Sequence, residues 1–296
     1  RHGVDPAAPY FLSMSHTLLA IHAHPDDESS KGAATVARYV DAGVRAVLVT
    51  ATGGEAGDIL NPAMDRPEIV ADLPAVRSAE LDEAARIIGY EEVIRLGYRD
   101  SGMPESPDNA RPDAFCNQDH EVVLERLVQI ARRLRPDVLL GYDAHEFYPH
   151  PDHLYVHRLS LELFSACADP ERFPDAGDPW RIGALYAPVF SRERIETLHR
   201  TMLERTGSSP FAGWVERLAS GRSDAQERIT KIDVTGYVER GRDALRAHRT
   251  QIDPDGFWFQ VPTELVEEVY PWEDFELLAA TVPVSGNGSD LFDGIA

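Results

Sequence analysis

The chain has 296 residues, of which 43% are hydrophobic, enough for one large α/β domain or for a domain with an elaborated second part. It contains 50 acidic and 29 basic residues, and the formal net charge of −21 opposes binding to DNA, RNA or an anionic membrane. A small-molecule ligand fits this charge better.

The two cysteines and the N-terminal segment bear on where the protein works. Cys116 and Cys167 do not form a CxxC pair, so the sequence indicates neither a disulfide framework nor a thiolate zinc site, and a reducing cytoplasm is expected. No apolar run approaches the length of a membrane span. Residues 1–13 lack the pattern of a signal peptide and are expected to be a leader or a cloning remnant. The sequence leaves the oligomeric state open, with a homo-oligomer as one alternative.

The first predicted strand is the apolar run from Leu18 to Ile21, and apolar spacing predicts a helix over 29–43. Between them lies the segment 23–28, Ala-His-Pro-Asp-Asp-Glu, in a strand-to-helix loop. Open α/β sheets bind ligands at the carboxyl ends of their strands. One imidazole and three carboxylates there suit a zinc site with an open position and a spare carboxylate as base. The alternative is that the acidic residues merely favour the first turn of a helix.

Strands and helices then alternate, which is typical of an α/β protein with a Rossmann-like, doubly wound and mostly parallel sheet. We expect 14–168 to form this metal-binding core and 169–296 to form a smaller C-terminal part that shapes the substrate cavity, unless both are one integrated domain. The predicted strands are 44–51, 93–96, 137–142 and 184–190, and the predicted helices are 74–88, 121–134, one opening at His153, 192–206 and 236–248.

A second histidine-rich segment follows the strand at 137–142 and ends in His150-Pro151-Asp152-His153. Both histidine segments therefore lie at carboxyl ends of strands, where parallel sheets collect their ligand-binding loops. This convergence favours a single metal site over the first-turn alternative.

The motifs HPDDE at 24–28 and HPDH at 150–153 together resemble those of the LmbE-like (PIG-L) zinc deacetylases, and more closely those of the mycothiol S-conjugate amidases. Further matches lie at 28–35, 52–55, 59–62, 100–102, 173–177 and 245–254, so the resemblance covers almost the whole chain. It implies zinc-dependent cleavage of the cysteinyl-glucosamine amide of a mycothiol S-conjugate, releasing glucosaminyl-inositol and a cysteine-derived product. The alternatives are an N-acetyl-glucosaminyl-inositol deacetylase and a homologue recruited to a biosynthetic pathway.

The resemblance also implies the metal ligands and the base. Zinc (Zn2+) would be held by His24, Asp27 and His153, with the fourth position for water or the carbonyl oxygen of the substrate. Asp26 would be the general base, because a carboxylate beside the metal can take the proton as water attacks the amide carbon.

A second set of residues is implied for the developing oxyanion. The family offers His150, oriented by Asp152, together with Tyr148. A charged His150 would also protonate the leaving amine.

Four residues are expected to bind substrate by the same resemblance. Arg77 and Asp100 would hold the glucosamine-inositol part, and Glu55 would line the pocket. Lys31 lies about one helical turn after Asp27, and a lysine occupies this place in the resembling amidases, whereas the deacetylases carry a small polar residue. The lysine favours a conjugate substrate. For all four, the alternative is an ordinary surface or capping charge.

The chain departs from the family in the loop before the second motif. The usual Asp-Glu-Asn-Gly-Gly-Tyr is replaced over 143–148 by Asp-Ala-His-Glu-Phe-Tyr. Glu146 and Phe147 in place of two glycines should stiffen this loop and change the cavity wall, and with it the substrate. His145 is either a pocket contact or an exposed loop histidine. Among the other histidines, His22 is expected to be packed either behind the ligand residues or in the core, and His248 to be structural or pocket-lining.

A nucleotide-binding Rossmann module without hydrolysis is the rival from a different functional class. The chain contains no G-x-G-x-x-G, Walker A or G-x-S-x-G run. This counts against such a module and against a serine hydrolase.

Overall fold

The computed structural model describes residues 16–144, 148–219, 228–284 and 288–295. The described strands are β1 Thr17–His22, β2 Arg45–Thr52, β3 Glu92–Tyr98, β4 Val138–Leu140, β5 Ala184–Val189, β6 Ile229–Asp233 and β7 Trp272–Ala280. The described α-helices are α1 Asp27–Ser30, α2 Ala33–Asp41, α3 Pro67–Val70, α4 Leu73–Ile88, α5 His120–Leu134, α6 Pro151–Ala166, α7 Arg192–Thr206, α8 Ala212–Ala219, α9 Val238–Ala247 and α10 Thr263–Val269. No helix in these ranges is long and apolar enough to cross a bilayer.

The strands form one seven-stranded sheet in the order β3-β2-β1-β4-β5-β7-β6. Neighbours from β3 to β5 are parallel, whereas β7 runs antiparallel to both β5 and β6. The predicted Rossmann-like, mostly parallel sheet is therefore confirmed. It continues past residue 168, because three of its strands come from the C-terminal part. The strand order reverses between β1 and β4, so the crevice for a ligand lies at their carboxyl ends.

Strand β1 shows why the central strands are continuously apolar. Its six residues are all buried. Leu18 and Ala20 pack on one face of the sheet with α2, α4 and α9, whereas Leu19 and Ile21 pack on the other with α5 and α6. Helices cover both faces, so side chains pointing either way must be apolar.

The helix predicted over 29–43 is wrong as a single element, because α1 and α2 are separated at Lys31 and Gly32. Gly32 has φ 87°, and a Cβ there would approach the ring of Phe275 to 3.1 Å. A left-handed backbone at a close approach is where glycine is needed. After this break, the Lys31 side chain lies against α1, where it contacts Asp27.

Two further boundaries differ from the prediction, and five elements were not predicted. Helix α6 begins at Pro151 rather than His153, with His150 as its N-cap, and proline suits this first position. Strand β4 has only three residues of the predicted 137–142. Strands β6 and β7 and helices α3, α8 and α10 were not predicted; β7 contains three acidic residues, which mask its strand pattern.

The C-terminal part adds a third apolar cluster beside the sheet. Its buried members come from α7, α8, α10 and the neighbouring loops: Ile195, Leu198, Met202, Phe211, Leu218, Val261, Leu265, Val266 and Tyr270. Phe190, Trp214 and Phe257 are partly buried against this cluster and also face the cavity described below.

Candidate active site

The two histidine motifs meet at the carboxyl ends of β1 and β4. These strands are neighbours, with Ala20 paired to Leu140. The first motif leaves β1 and turns into α1, and the second lies at the start of α6 after the loop that follows β4. The two segments therefore reach the same point although they are far apart in the chain.

Three side-chain atoms from these motifs form a nearly equilateral triangle. His24 Nδ1 lies 3.3 Å from Asp27 Oδ2 and 3.2 Å from His153 Nε2, and the latter two atoms are 3.2 Å apart. Zinc with bonds of about 2.0–2.1 Å places tetrahedral N and O ligands about 3.3–3.4 Å apart. The three side chains are buried, and their donor set and spacing fit one zinc ion.

The protonation states of His153 and Asp27 suit a cation, whereas metal binding at His24 must displace a proton. Burial lowers the pKa of His153 well below its usual value, so its ring is neutral, as a metal ligand must be. Burial by itself would raise the pKa of Asp27, but hydrogen bonds from His153 and His24 and the charge of Lys31 hold it well below its usual value. Burial opposes a charge on His24, yet hydrogen bonds to carboxylates, first that of Asp100, hold its pKa well above its usual value.

The second ring nitrogen of His24 faces other carboxylates. Its Nε2 lies 3.1 Å from Asp152 Oδ2 and 3.5 Å from Asp100 Oδ1. Asp152 is completely buried and accepts the backbone N–H and the hydroxyl of Ser101. Donor atoms of His24, Asp100, His150 and Asp152 are also close enough to hold an ion. However, a histidine ligand ordinarily donates its second N–H to a carboxylate, and Asp152 occupies that place.

Asp26 lies beside the triangle, with its side chain 28% exposed and Oδ2 3.7 Å from the Arg77 guanidinium. Burial raises the pKa of Asp26, although Arg77 partly opposes this, so the carboxylate is a stronger base than an exposed aspartate. Its backbone φ is 115°, which is uncommon for a residue other than glycine.

His150 has a defined neutral tautomer. Its Nδ1 accepts the backbone N–H of Asp152 at 3.2 Å, which leaves the proton on Nε2. Burial and the charge of His24 lower the pKa of His150 to about 4, so a charged ring at neutral pH is not favoured. Asp152 contacts His150 through its backbone N–H, whereas its carboxylate contacts His24 and Ser101.

Tyr148 stands at the mouth of the site. It is 49% exposed, and its ring centroid lies 5.4 Å from that of His153. The altered loop positions His145, Glu146 and Phe147 lie outside the described residues, so the effect of this loop stays a prediction.

Arg77 and Lys31 line the cavity but also hold the site together. Arg77 donates to the carbonyl oxygens of Gly54 and Pro25, each at 2.6 Å. Gly54 has φ 69°, and a Cβ there would lie 2.3 Å from the guanidinium carbon, which explains this glycine. Lys31 Nζ donates to Asp27 Oδ1 at 2.7 Å.

Asp100 faces the cavity, whereas Glu55 lies behind Asp100. Asp100 lines the cavity and accepts the N–H groups of Ala56 and Gly102. Glu55 accepts the N–H of Asp100 at 3.0 Å, and it is not among the described residues that line the cavity. Glu55 therefore supports Asp100 from behind.

Sequence reasoning missed the role of Tyr142. Its hydroxyl donates to Asp27 Oδ2 at 2.6 Å and accepts the N–H of Ala23 at 2.7 Å. Burial raises the pKa of Tyr142 well above its usual value, so the phenol keeps its proton. Tyr142 lies just after β4, the strand beside β1, and this position is the sequence signal that would have pointed to its role. His22, expected to be packed behind the ligand residues or in the core, is completely buried.

These side chains open onto a cavity of about 650 Å³. Its lining includes His24, Asp26, Asp27, Tyr148, His150 and His153, together with residues of the C-terminal part such as Phe190, Trp214 and Trp258. The predicted base, metal ligands and oxyanion partners thus share one cavity.

Known proteins resemble this chain over most of its length. The family model described as GlcNAc-PI de-N-acetylase (PIG-L) matches residues 19–164. A mycothiol S-conjugate amidase of Streptomyces coelicolor is 40% identical over 288 residues, covering 94% of this chain and 97% of the relative. A 1D-myo-inositol 2-acetamido-2-deoxy-alpha-D-glucopyranoside deacetylase of Streptomyces scabiei is 36% identical over 309 residues, covering 99% and 94%.

A solved structure shows the same fold. N,N'-diacetylchitobiose deacetylase from Pyrococcus horikoshii superposes with a TM-score of 0.60 at 21% identity, covering 96% of this chain and 88% of that chain. The family model, the two relatives and the paired HPDDE and HPDH motifs all lead to one assignment: the chain belongs to the PIG-L family of LmbE-like deacetylases and amidases.

Proposed function

We propose that this chain is a zinc-dependent amidase that hydrolyses mycothiol S-conjugates to glucosaminyl-inositol and a cysteine-derived product. One observation carries the proposal: the triangle of His24, Asp27 and His153 lies beside Asp26 in a single cavity. The relatives support it, because their names specify an amide-cleaving amidase and a deacetylase of an acetamido sugar. The substrate would be a small molecule, and a cytoplasmic location belongs to the same proposal.

Zinc held by His24, Asp27 and His153 would act as a Lewis acid that acidifies water and polarises the scissile carbonyl. Asp26 would take the proton of the attacking water, and its raised pKa suits this task. Once protonated, Asp26 can pass the proton to the leaving amine. His150 would donate its Nε2–H to the oxyanion, because its Nδ1 is already occupied by the Asp152 backbone. Tyr148 would add its hydroxyl from the cavity mouth.

The same groups would serve deacetylation of N-acetyl-glucosaminyl-inositol or of another amide in a biosynthetic pathway. Two observations favour the conjugate. Lys31, which matches the amidases, lines the cavity beside Asp27. The cavity of about 650 Å³ also extends to residues of the C-terminal part, which gives more room than an acetyl group needs.

A parallel mass-spectrometric assay tests the proposal. The zinc-loaded protein is given a mycothiol S-conjugate and N-acetyl-glucosaminyl-inositol at equal concentrations, and kcat/KM is measured for each. We expect a clear preference for the conjugate, and loss of both activities in Asp26→Asn. A preference for the acetylated compound would assign the chain to the deacetylases instead.

A further inference from the structure

The active-site cavity has two unlike walls. In the sheet, β2 and β3 lie on one side of β1, and β4 and β5 on the other. The loops that follow β2 and β3, with neighbouring α4 and the segment after α9, supply the polar residues Asp58, Arg77, Asp100 and Gln251, with Leu60 and Met103 at the rim. The end of β5, with α8 and a short helix at Phe257–Phe259, supplies Phe190, Trp214, Phe257 and Trp258.

These four aromatic residues, the aromatic wall, form a connected group. The rings of Trp214 and Phe257 are parallel to within 6°, with centroids 5.9 Å apart. Phe190 meets Trp214 edge-on at 5.4 Å, and Trp258 meets Phe257 edge-on at 5.5 Å. The buried cluster of the C-terminal part supports Phe190, Trp214 and Phe257 from behind. The wall therefore presents fixed apolar faces to the cavity.

We infer that the aromatic wall is the subsite for the S-substituent of the substrate, and that it selects planar aromatic or bulky apolar substituents. This inference rests on the proposed function. When the amide carbonyl lies at His24, Asp27 and His153, the amino sugar and the acyl group extend away from it on opposite sides. The hydroxyl-rich sugar matches the polar wall, which leaves the aromatic wall for the acyl group and its sulfur substituent.

The chemistry of the wall supports this assignment. Aromatic faces bind planar or apolar groups through large contact areas and ring stacking. An acetyl group has no side chain that would fill such a subsite. Arg217, which follows Trp214 by one turn of α8, also lines the cavity.

The test compares S-benzyl and S-methyl conjugates of mycothiol with the zinc-loaded protein. We expect kcat/KM for the S-benzyl conjugate to be roughly tenfold higher, from stacking and added contact area. Trp258→Ala should remove most of this preference, because it should lower kcat/KM for the S-benzyl conjugate much more than for the S-methyl conjugate. Trp258 is the safer variant, because it lies outside the buried cluster that supports the other rings. Trp272→Ala is the control. Trp272 packs on the buried cluster of the C-terminal part, but it is not among the described residues that line the active-site cavity.

A second measurement does not depend on turnover. Titration with S-benzyl-N-acetylcysteine should change the tryptophan fluorescence of the wild type and of Trp272→Ala, and much less that of Trp258→Ala. The subsite is refuted, and the proposed function is not, if the wild type has equal kcat/KM for both conjugates. The same holds if Trp258→Ala lowers kcat/KM equally for both conjugates. Cleavage of neither conjugate, with N-acetyl-glucosaminyl-inositol hydrolysed, overturns the proposed function and the subsite with it.

Discussion

His248 Nε2 lies 2.6 Å from Glu28 Oε1, and both side chains are completely buried. Glu28 Oε2 accepts the backbone N–H of Asp26 at 3.0 Å, so the buried pair holds the backbone of the proposed base. Burial opposes charge on each member, but the pKa of Glu28 is lowered by His248 and that of His248 is raised by Glu28. Asp26 has φ 115°, a strained conformation that persists only when neighbouring contacts hold it.

Glu28→Gln should therefore lower kcat by roughly ten- to a hundredfold while zinc content stays the same, because a misplaced base is costly. Steady-state kinetics and elemental analysis check this. Glu80→Gln is the matched control: Glu80 is equally buried, but it anchors Thr250 instead of Asp26. Equal losses of kcat in the two variants would mean that only general stability is affected.

The ligand assignment predicts roughly one zinc per chain in the purified protein. His24→Ala, Asp27→Ala and His153→Ala should each lose most of the metal and the activity, because three protein ligands are few enough that none is dispensable. Elemental analysis measures the metal. His157→Ala, on the same helix as His153 but outside the triangle, should keep it. Full metal occupancy in all three ligand variants would refute the assignment.

Asp26 and Asp27 are neighbours with different proposed tasks. Asp26→Asn should keep its zinc and lose about 10²-fold or more in kcat, as expected when a general base is removed. Metal content and turnover are measured on the same sample. If the variant loses its metal instead, the roles of the two aspartates are reversed.

Lys31 donates to Asp27 Oδ1 at 2.7 Å and also lines the cavity. Lys31→Ser should lower kcat/KM roughly tenfold on every substrate, since partners of metal ligands influence metal affinity and activity. A further loss for the mycothiol conjugate, absent for N-acetyl-glucosaminyl-inositol, would measure the predicted contact with the conjugate. Lys231→Ser is the control, because Lys231 pairs with Glu193 and lies over the Tyr270 ring but is not among the described cavity-lining residues. Unchanged kinetics on both substrates would assign Lys31 no role.

The reactivity of the Cys167 thiol is a test of how well the core is packed. Burial raises the pKa of its thiol to about 11, and the thiolate is the form that alkylating reagents attack. Iodoacetamide at pH 8 should therefore label the half-buried Cys116 and spare Cys167 in the native protein, and the rate at Cys167 should rise only as the pH approaches 11. Mass spectrometry of the digested protein gives both rates. Labelling of Cys167 as fast as in the denatured chain would contradict its burial.

The sequence by itself determined the parallel core and predicted which residues meet at its carboxyl edge. Runs such as Leu18 to Ile21 identify strands buried on both faces, and their order along the chain predicts a doubly wound sheet. The motifs at 24–28 and 150–153 predict that histidines and carboxylates converge, because parallel strands share one carboxyl edge. These inferences need only short-range patterns and a general rule of sheet topology.

Tertiary structure alone decided which distant side chains meet. His248 and Glu28 are 220 positions apart, and nothing in either local pattern predicts their contact. The antiparallel strand β7 was missed because its acidic residues mask the strand pattern. One of them, Asp274, is nevertheless buried, since it accepts hydrogen bonds from Ser191 and Tyr270. The aromatic wall likewise combines residues from the end of β5, from α8 and from the short helix at Phe257–Phe259, since packing of separate segments, and not spacing along the chain, brings their rings together.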